Sequence, residues 1–293
     1  MVIKNYVVVT PCKNEEKNLP ALASSIIDNT IKPSLWIILN DGSTDNTCII
    51  LNNLEKEYNW IKVIHEKESI RDLGLHYSDI VNKAIKCAFA TCEKRSINFE
   101  YIGLIDADMI LDKDFFEKII DRFEKNPKLG VCSGTVAYIS NGQKTLEKGR
   151  EKHPIGGLRV WRKKCLEDTG GFPTSYSADS VSNVLAILKG WDTRKYEDIT
   201  GIQTRKTSSA EGMWKGLITR GKSDYYRDYH PVYVILKFLK YSIKPPFYTG
   251  IAYLWGYIIG VIVIKNKINI PEVRAYYRNK HLELLNLKKG TER

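Results

Sequence analysis

Over the first 140 residues, short β-branched apolar runs alternate with amphipathic stretches, and this alternation limits the fold more than any other feature. Tyr6–Thr10, Leu35–Asn40, Ile61–Ile64 and Tyr101–Ile105 read as strands, while Leu19–Asn29, Thr44–Tyr58, Tyr77–Thr91 and Lys113–Lys125 carry the helical period. Leu35–Asn40 is a nearly continuous apolar run, the pattern of a strand covered on both faces. Pro11 breaks the first strand, and Pro20 is tolerated in the first helical turn, where its missing N–H has no intrahelical partner. The order predicts an α/β fold with a mainly parallel central sheet and helices on both faces. In such sheets ligands bind beyond the carboxyl ends of the strands, so chemistry is expected just after each one.

Acidic and small polar residues collect at those positions. The first strand is followed by Thr10-Pro11-Cys12-Lys13-Asn14-Glu15-Glu16, the second by Asn40-Asp41-Gly42-Ser43-Thr44-Asp45. A turn with Ser43 or Thr44 capping the next helix and Asp45 complementing its dipole accounts for residues 42–45. Asp41 is less well explained that way. A carboxylate at the sheet edge accepts hydrogen bonds from a ribose or base. The fourth strand runs into Asp106-Ala107-Asp108. Residues two apart in an extended segment point the same way, so these carboxylates repel unless a cation sits between them. Mg²⁺ or Mn²⁺ prefers such oxygen ligands and shares its other positions with substrate phosphates. The plainer reading is a pair of exposed aspartates at a strand–helix junction.

The region 130–205 is less regular: strands at Val131–Tyr138 and Leu158–Trp161, a Gly170-Gly171-Phe172-Pro173 turn, and a helix from about Ser180 to Lys189. Apolar residues make up 43% and charged residues 27%, a globular composition that excludes disordered and collagen-like chains. The six cysteines contain no C-x-x-C pair, so buried thiols are expected rather than zinc ligands or a disulfide framework. MVIKNYVVVT reads as a strand and lacks the long apolar region of a signal peptide.

With these motifs in hand, the chain resembles the inverting GT-A glycosyltransferases of family 2. The resemblance rests on TPCKNEE at 10–16, NDGSTD at 40–45, LIDADMIL at 104–111, and Gly156-Gly157-Leu158-Arg159-Val160-Trp161-Arg162 followed by Gly170-Gly171-Phe172. It covers roughly residues 5–225. Ser177-Ala178-Asp179 stands where the family carries a Glu-Asp pair, with Ala178 replacing the Glu. The resemblance implies that Thr10, Pro11, Asn14 and Glu15 line the nucleotide pocket and that Asp41 bonds base or ribose. It implies that Asp106 and Asp108 hold a divalent metal, Mg²⁺ or Mn²⁺, on the donor diphosphate, and that Asp179 is the base for an acceptor hydroxyl. Read without the resemblance, Asp179 is a cap for the helix at Ser180. Arg150, Lys152, Arg205 and Arg220 are further candidates for the diphosphate, and Trp161 and Trp191 either flank the acceptor or fill the core. The Q-x-x-R-W signature of processive synthases is absent, and Gln203-Thr204-Arg205 is no substitute. A cellulose- or chitin-type synthase is therefore disfavoured.

The competing enzyme is a sugar-phosphate nucleotidyltransferase, but the acidic loop after the first strand has no glycine to cradle a phosphate. The competing non-enzyme is a membrane-associated binding protein that retains the fold. Charge bears on the partners. Residues 1–199 carry 28 basic and 28 acidic side chains, whereas 200–293 carry 17 and 6, so the whole net charge of +11 lies at the C-terminal end. A neutral sheet region argues against nucleic acid. Val232–Ile243 and the 18 uncharged residues Phe247–Ile264 add an apolar, aromatic character there. The chain is accordingly divided into a catalytic domain, 1–225, and a basic, hydrophobic, membrane-associating helical region, 226–293. Positive charge on both sides of 247–264 disfavours a crossing. The expected location is the cytoplasmic face of the cell membrane, peripheral or monotopic, with a single C-terminal transmembrane helix or a soluble chain as alternatives. The expected partners are a nucleotide-sugar donor, a glycan or lipid-linked acceptor and the membrane surface.

Overall fold

The computed structural model describes residues 5–67, 75–140, 142–147, 149–204, 212–243 and 245–284. The chain divides into two compact units: residues 1–174 with 178–205, and residues 175–177 with 206–293.

The first unit runs β1 (Tyr6–Cys12), α1 (Leu19–Ile27), β2 (Leu35–Asp41), α2 (Thr47–Glu57), β3 (Ile61–Glu66), α3 (Leu75–Lys94), β4 (Tyr101–Ile105), β5 (Met109–Leu111) and α4 (Phe115–Lys125). It continues with β6 (Leu129–Ser140), β7 (Gln143–Leu146), β8 (Leu158–Arg162), α5 (Lys163–Asp168), α6 (Ala178–Leu188) and β9 (Asp192–Gln203). The strands lie in the order β3-β2-β1-β4-β8-β6-β9-β5, with β7 beside β6. From β3 to β4 every pairing is parallel, built by the expected βαβ crossovers. Beyond β4 the sheet is mixed. β8 is antiparallel to both β4 and β6, β6 is parallel to β9, and β5 is antiparallel to β9. The expectation of a mainly parallel sheet thus describes the half that carries the first three strand-end motifs.

β1 explains the double covering. Tyr6 and Val8 face one layer with Leu19, Leu22, Phe115, Phe116 and Ile119 of α1 and α4. Val7 and Val9 face the other, with Ile80, Val81, Ala84 and Ala88 of α3. Alternate residues of a strand point to opposite faces, so a strand with helices on both sides must be apolar throughout. All six cysteines are free, and Cys12, Cys92, Cys132 and Cys165 are buried.

Two helix starts differ from the sequence reading. α2 begins at Thr47 rather than Thr44, because Gly42 takes a left-handed φ of 61° and Asp45 Oδ1 accepts the Thr47 N–H at 3.0 Å. Ser43 and Thr44 are not its caps. α6 begins at Ala178, so Asp179 lies inside the first turn rather than ahead of it.

The second unit holds α7 (Gly212–Tyr226), α8 (Pro231–Ser242), α9 (Tyr248–Val263), α10 (Pro271–Arg278) and α11 (Lys280–Leu284). α7 groups with this unit although the sequence division fell after residue 225. Glycines explain why: a Cβ at Gly221 would lie 2.2 Å from Tyr253 O, and one at Gly256 would lie 2.1 Å from Ile218 O. α7 and α9 therefore cross with their backbones nearly touching. The junction also buries charge. Asp224 is fully buried and accepts from Arg227 Nη2 (2.7 Å), Lys237 Nζ (2.5 Å) and Tyr253 Oη (2.7 Å). Asp228 is held by Lys267, Arg274 and Arg278. α9 has 16 residues and a length of about 24 Å, short of the ~30 Å hydrocarbon core. No helix among the described residues is long and apolar enough to cross a membrane.

Candidate active site

The loops after β1 and β2 are laced together. Asn14, in a left-handed conformation at φ 55°, donates its N–H to Ser43 Oγ (2.9 Å), and its Oδ1 accepts from Thr44 N (2.8 Å). Glu15 is buried, its N–H bonded to Thr47 Oγ1 (2.8 Å), and Glu16 Oε2 accepts from Asn46. Thr10 behaves differently from the sequence reading. It is fully buried and its hydroxyl accepts from Trp36 Nε1 (2.9 Å), so its side chain belongs to the core. Pro11, next along β1, is partly exposed.

Asp41, at the end of β2, is nearly buried, and His76 Nε2 stands 3.0 and 3.1 Å from its two oxygens. The next residue on α3, Tyr77, donates its phenol to Asp106 Oδ1 (2.9 Å). Burial, with the carboxylates of Asp106 and Asp179 nearby, holds that phenol well above its usual pKa, so it acts as a neutral donor. The first turn of α3 thus reaches two acidic residues that the sequence assigns to different parts of a donor. Beside His76 a cavity of about 640 Å³ opens between α3 and the segment Gly170–Thr174, with Lys83, Lys86 and Phe172 in its wall.

Asp106 and Asp108 do not share one extended direction. Met109 N bonds Asp106 O at 3.2 Å, closing a turn between β4 and β5, so the alternation of a strand does not apply. Asp106 faces Tyr77 and Gly157. Asp108 is buried on the β9 side, where Gln203 Nε2 donates to its Oδ2 (3.2 Å) and Thr204 N to its carbonyl (3.0 Å). Among the described residues no three His, Cys, Asp or Glu side chains form a ready metal cage. Two hard carboxylates nonetheless suit Mg²⁺ or Mn²⁺, which keeps waters and takes further oxygens from substrate phosphates.

Asp179 projects from the first turn of α6 toward Gly156. A Cβ there would lie 2.2 Å from Asp179 Oδ2, and a Cβ at Gly157 would lie 1.9 Å from Asp106 Oδ2. Arg159, fully buried on β8, braces the Asp179 side. Its guanidinium bonds the carbonyls of Pro154, Ile155 and Asp179 at 3.2 Å each, and Nη2 lies 3.8 Å from Asp179 Oδ1. That oxygen is itself buried and accepts no hydrogen bond. Burial pushes the Arg159 guanidinium down from its usual pKa, against the upward pull of Asp179. Among the described residues Arg159 is the cation that acts on the carboxylates of both Asp106 and Asp179, and a dication would offset their remaining charge.

Asp41, Asp106 and Asp179 are therefore joined through His76, Tyr77, Arg159 and the glycine pair, none of which was assigned these contacts from the sequence. Arg159 had a signal, a lone cation inside the apolar strand Leu158–Trp161; His76, Tyr77 and Gln203 had none. Trp161 is core, fully buried with Nε1 bonded to Ser182 Oγ (3.2 Å). Arg205 lies outside the described residues.

Comparison with known proteins decides the family. The sequence profile described as glycosyl transferase family 2 matches residues 7–177. The chain belongs to glycosyl transferase family 2. Curated relatives of this family 2 chain include two poly-beta-1,6-N-acetyl-D-glucosamine synthases of Staphylococcus epidermidis. One is 31% identical over 270 residues and the other 25% over 273. Each match covers 85% of this chain and 61% of the relative, so the family 2 chain spans about three-fifths of those proteins. Two solved structures share its fold. Mannosyltransferase PcManGT from Pyrobaculum calidifontis, in complex with GDP-Man and Mn²⁺, is 15% identical with a TM-score of 0.56 over 98% of this chain and 81% of that one. S. aureus TarS 1–349 in complex with UDP-GlcNAc is 14% identical with a TM-score of 0.55 over 98% and 77%.

Proposed function

We propose that this protein transfers a sugar from a nucleoside diphosphate sugar to an acceptor hydroxyl, inverting the anomeric carbon in one displacement. The observation that carries the reading is Asp179, whose Oδ2 abuts Gly156, the neighbour in the chain of Gly157, which borders Asp106. The Asp179 side chain is partly exposed while Arg159 stands behind its Oδ1, which leaves Oδ2 as the oxygen assigned to the acceptor hydroxyl. In this reading Asp179 takes the proton of the acceptor O–H as the oxygen attacks the anomeric carbon. The bond from that carbon to the diphosphate oxygen breaks, and its electron pair leaves on the diphosphate. Base assistance of this kind is typically worth ~10²–10⁴-fold.

Pro11, Asn14 and Glu15 are assigned to the nucleotide pocket, with Asp41 accepting from base or ribose and Thr10 supporting the pocket from the core. Asp106 and Asp108 are assigned to Mg²⁺ or Mn²⁺, which when bound offsets the charge growing on the diphosphate. Arg159 and Tyr77 hold the carboxylates in place. The acceptor is read as a lipid-linked or surface-glycan precursor, met at the cytoplasmic face of the membrane. The named relatives support glycan synthesis, and the UDP-GlcNAc and GDP-Man complexes of the fold neighbours select the first donors to test.

The test is a panel of nucleotide-sugars with Mn²⁺ or Mg²⁺, scored by thermal stabilisation and by nucleoside diphosphate release. A donor at about 100 times its Kd adds ~2.7 kcal/mol of stability. A binding protein that only retains the fold is stabilised and releases no diphosphate; a nucleotidyltransferase instead releases pyrophosphate from a nucleoside triphosphate and sugar phosphate. A chain that none of the donors stabilises, and that releases nothing, counts against the proposal.

A further inference from the structure

Among the described residues, the second unit leaves an apolar face uncovered. Ile235 and Leu239 on α8 and Ile243 just past its end recur at intervals of four and are all exposed, Ile243 to 73%. On α9, Ile251, Trp255, Ile258 and Ile262 follow the same helical spacing, Ile262 exposed to 75%. The opposite side of α9 is the one that packs. Gly250 approaches Phe238 and Ser242 of α8, while Gly256 and Gly260 approach α7. At the start of α9 the rings of Trp214 and Tyr248, both exposed, lie 5.8 Å apart and continue the stripe onto α7. Isolated surface leucines and isoleucines are ordinary, whereas a continuous run along two helices marks a contact surface.

We infer that this face seats the protein on an anionic lipid bilayer, with α8 and α9 lying in the headgroup region and their outward side chains reaching the acyl boundary. The inference deepens the membrane part of the reading above and does not depend on the chemistry. Three observations select lipid over a second copy of the chain. Lys237 is spent on the buried Asp224, but Lys240 and Lys265 are exposed, and Asp228 balances only one of Lys267, Arg274 and Arg278, so these helices keep a net positive charge. Two copies meeting here would set like charge against like charge, whereas anionic headgroups complement it. Exposed basic residues adjoin the stripe in the chain: Lys240 follows Leu239, and Lys265 follows the end of α9. Trp214, Tyr248 and Trp255 have the apolar body and polar tip that favour the level of the headgroups. At 16 residues α9 is too short to cross the hydrocarbon core, so contact with lipid would be along its side.

The test uses the whole chain and two kinds of vesicle, phosphatidylcholine alone and phosphatidylcholine doped with phosphatidylglycerol. The expected result is co-sedimentation with the doped vesicles, weakened by salt, and little with phosphatidylcholine alone. The Ile251→Glu/Ile258→Glu variant should lose vesicle binding by about tenfold or more, while nucleotide-sugar turnover with a water-soluble acceptor and the far-ultraviolet circular dichroism stay at wild-type levels. Lys240→Glu/Lys265→Glu should remove the preference for phosphatidylglycerol. Equal sedimentation of wild type and the isoleucine variant overturns the inference. So does a dimer in solution that this variant dissolves while neither protein binds vesicles, which would give the face to a second copy. Vesicle binding in a chain inactive toward every donor would sink the sugar-transfer reading and leave this one intact.

Discussion

Asp106 and Asp179 rest their carboxylates against successive residues, Gly157 and Gly156, so a single dipeptide without side chains borders both acids. Proximity of this kind is sensitive to one added carbon, because a reacting group displaced by about 1 Å loses rate on the order of 10²-fold.

Alanine at either glycine should therefore act on one acid at a time. Gly156→Ala moves Asp179 and is expected to lower kcat by about 10²-fold with donor KM little changed. Gly157→Ala moves Asp106 and is expected to raise the donor KM and the metal concentration needed. Steady-state kinetics of the two variants, with Mn²⁺ titrated, checks the division; identical kinetic defects would contradict it.

Removal of the metal should be as damaging as removal of a ligand. Asp108→Ala is expected to abolish transfer while leaving the unfolding midpoint near that of the wild type. EDTA should silence the wild type reversibly, with Mn²⁺ or Mg²⁺ restoring turnover. Full activity in excess chelator would remove the metal from the scheme.

Arg159 offers a test through another residue. Asp179→Asn should lower kcat by ~10²–10⁴-fold with donor affinity retained. Lysine at 159 keeps a positive charge but offers one nitrogen in place of the three that reach separate carbonyls, so Arg159→Lys should lower kcat about tenfold or more. In the Asp179→Asn background the same change should cost little, since residues that act as a unit are not additive. Additive losses would reduce Arg159 to a purely structural part, and a wild-type rate for Asp179→Asn would free Asp179 from its role as base.

Stability of the second unit should depend on acid through Asp224. Burial alone would push its carboxyl up, yet Arg227, Lys237 and Tyr253 outweigh burial and hold it below the ordinary value. The native carboxyl then binds its proton less readily than the unfolded one. The stabilisation is complete above pH ~4 and is lost as pH falls through the native value. Asp224→Asn strands two buried cations and should cost about 3–5 kcal/mol at neutral pH. Urea unfolding at neutral and acidic pH checks both: the variant should start lower and show a shallower loss on acidification.

The parallel half of the sheet was legible in the sequence because β1 and β2 open with unbroken apolar runs, residues 6–9 and 35–39, and end in polar residues. The mixed half was not, since the short β5 and the direction of β8 depend on partners far along the chain. Of the site, Asp41, Asp106, Asp108 and Asp179 were visible as acids at strand or helix ends. Their orientation was not, because Asp106-Ala107-Asp108 is a turn and Thr10 spends its hydroxyl on Trp36. His76 and Tyr77 could not be singled out from sequence: nothing in a helical heptad distinguishes a residue that reaches across to another strand.

The pairing of His76 with Asp41 and of Tyr77 with Asp106 also restricts how such a chain can drift. Successive residues of a helix are turned by about 100° from one another. A one-residue deletion or insertion at the start of α3 would rotate the first turn and break both contacts together, whereas an exchange of side chain at 76 or 77 alters only one. Related sequences should therefore vary at these two positions by substitution and keep the count of residues from there through α3 unchanged.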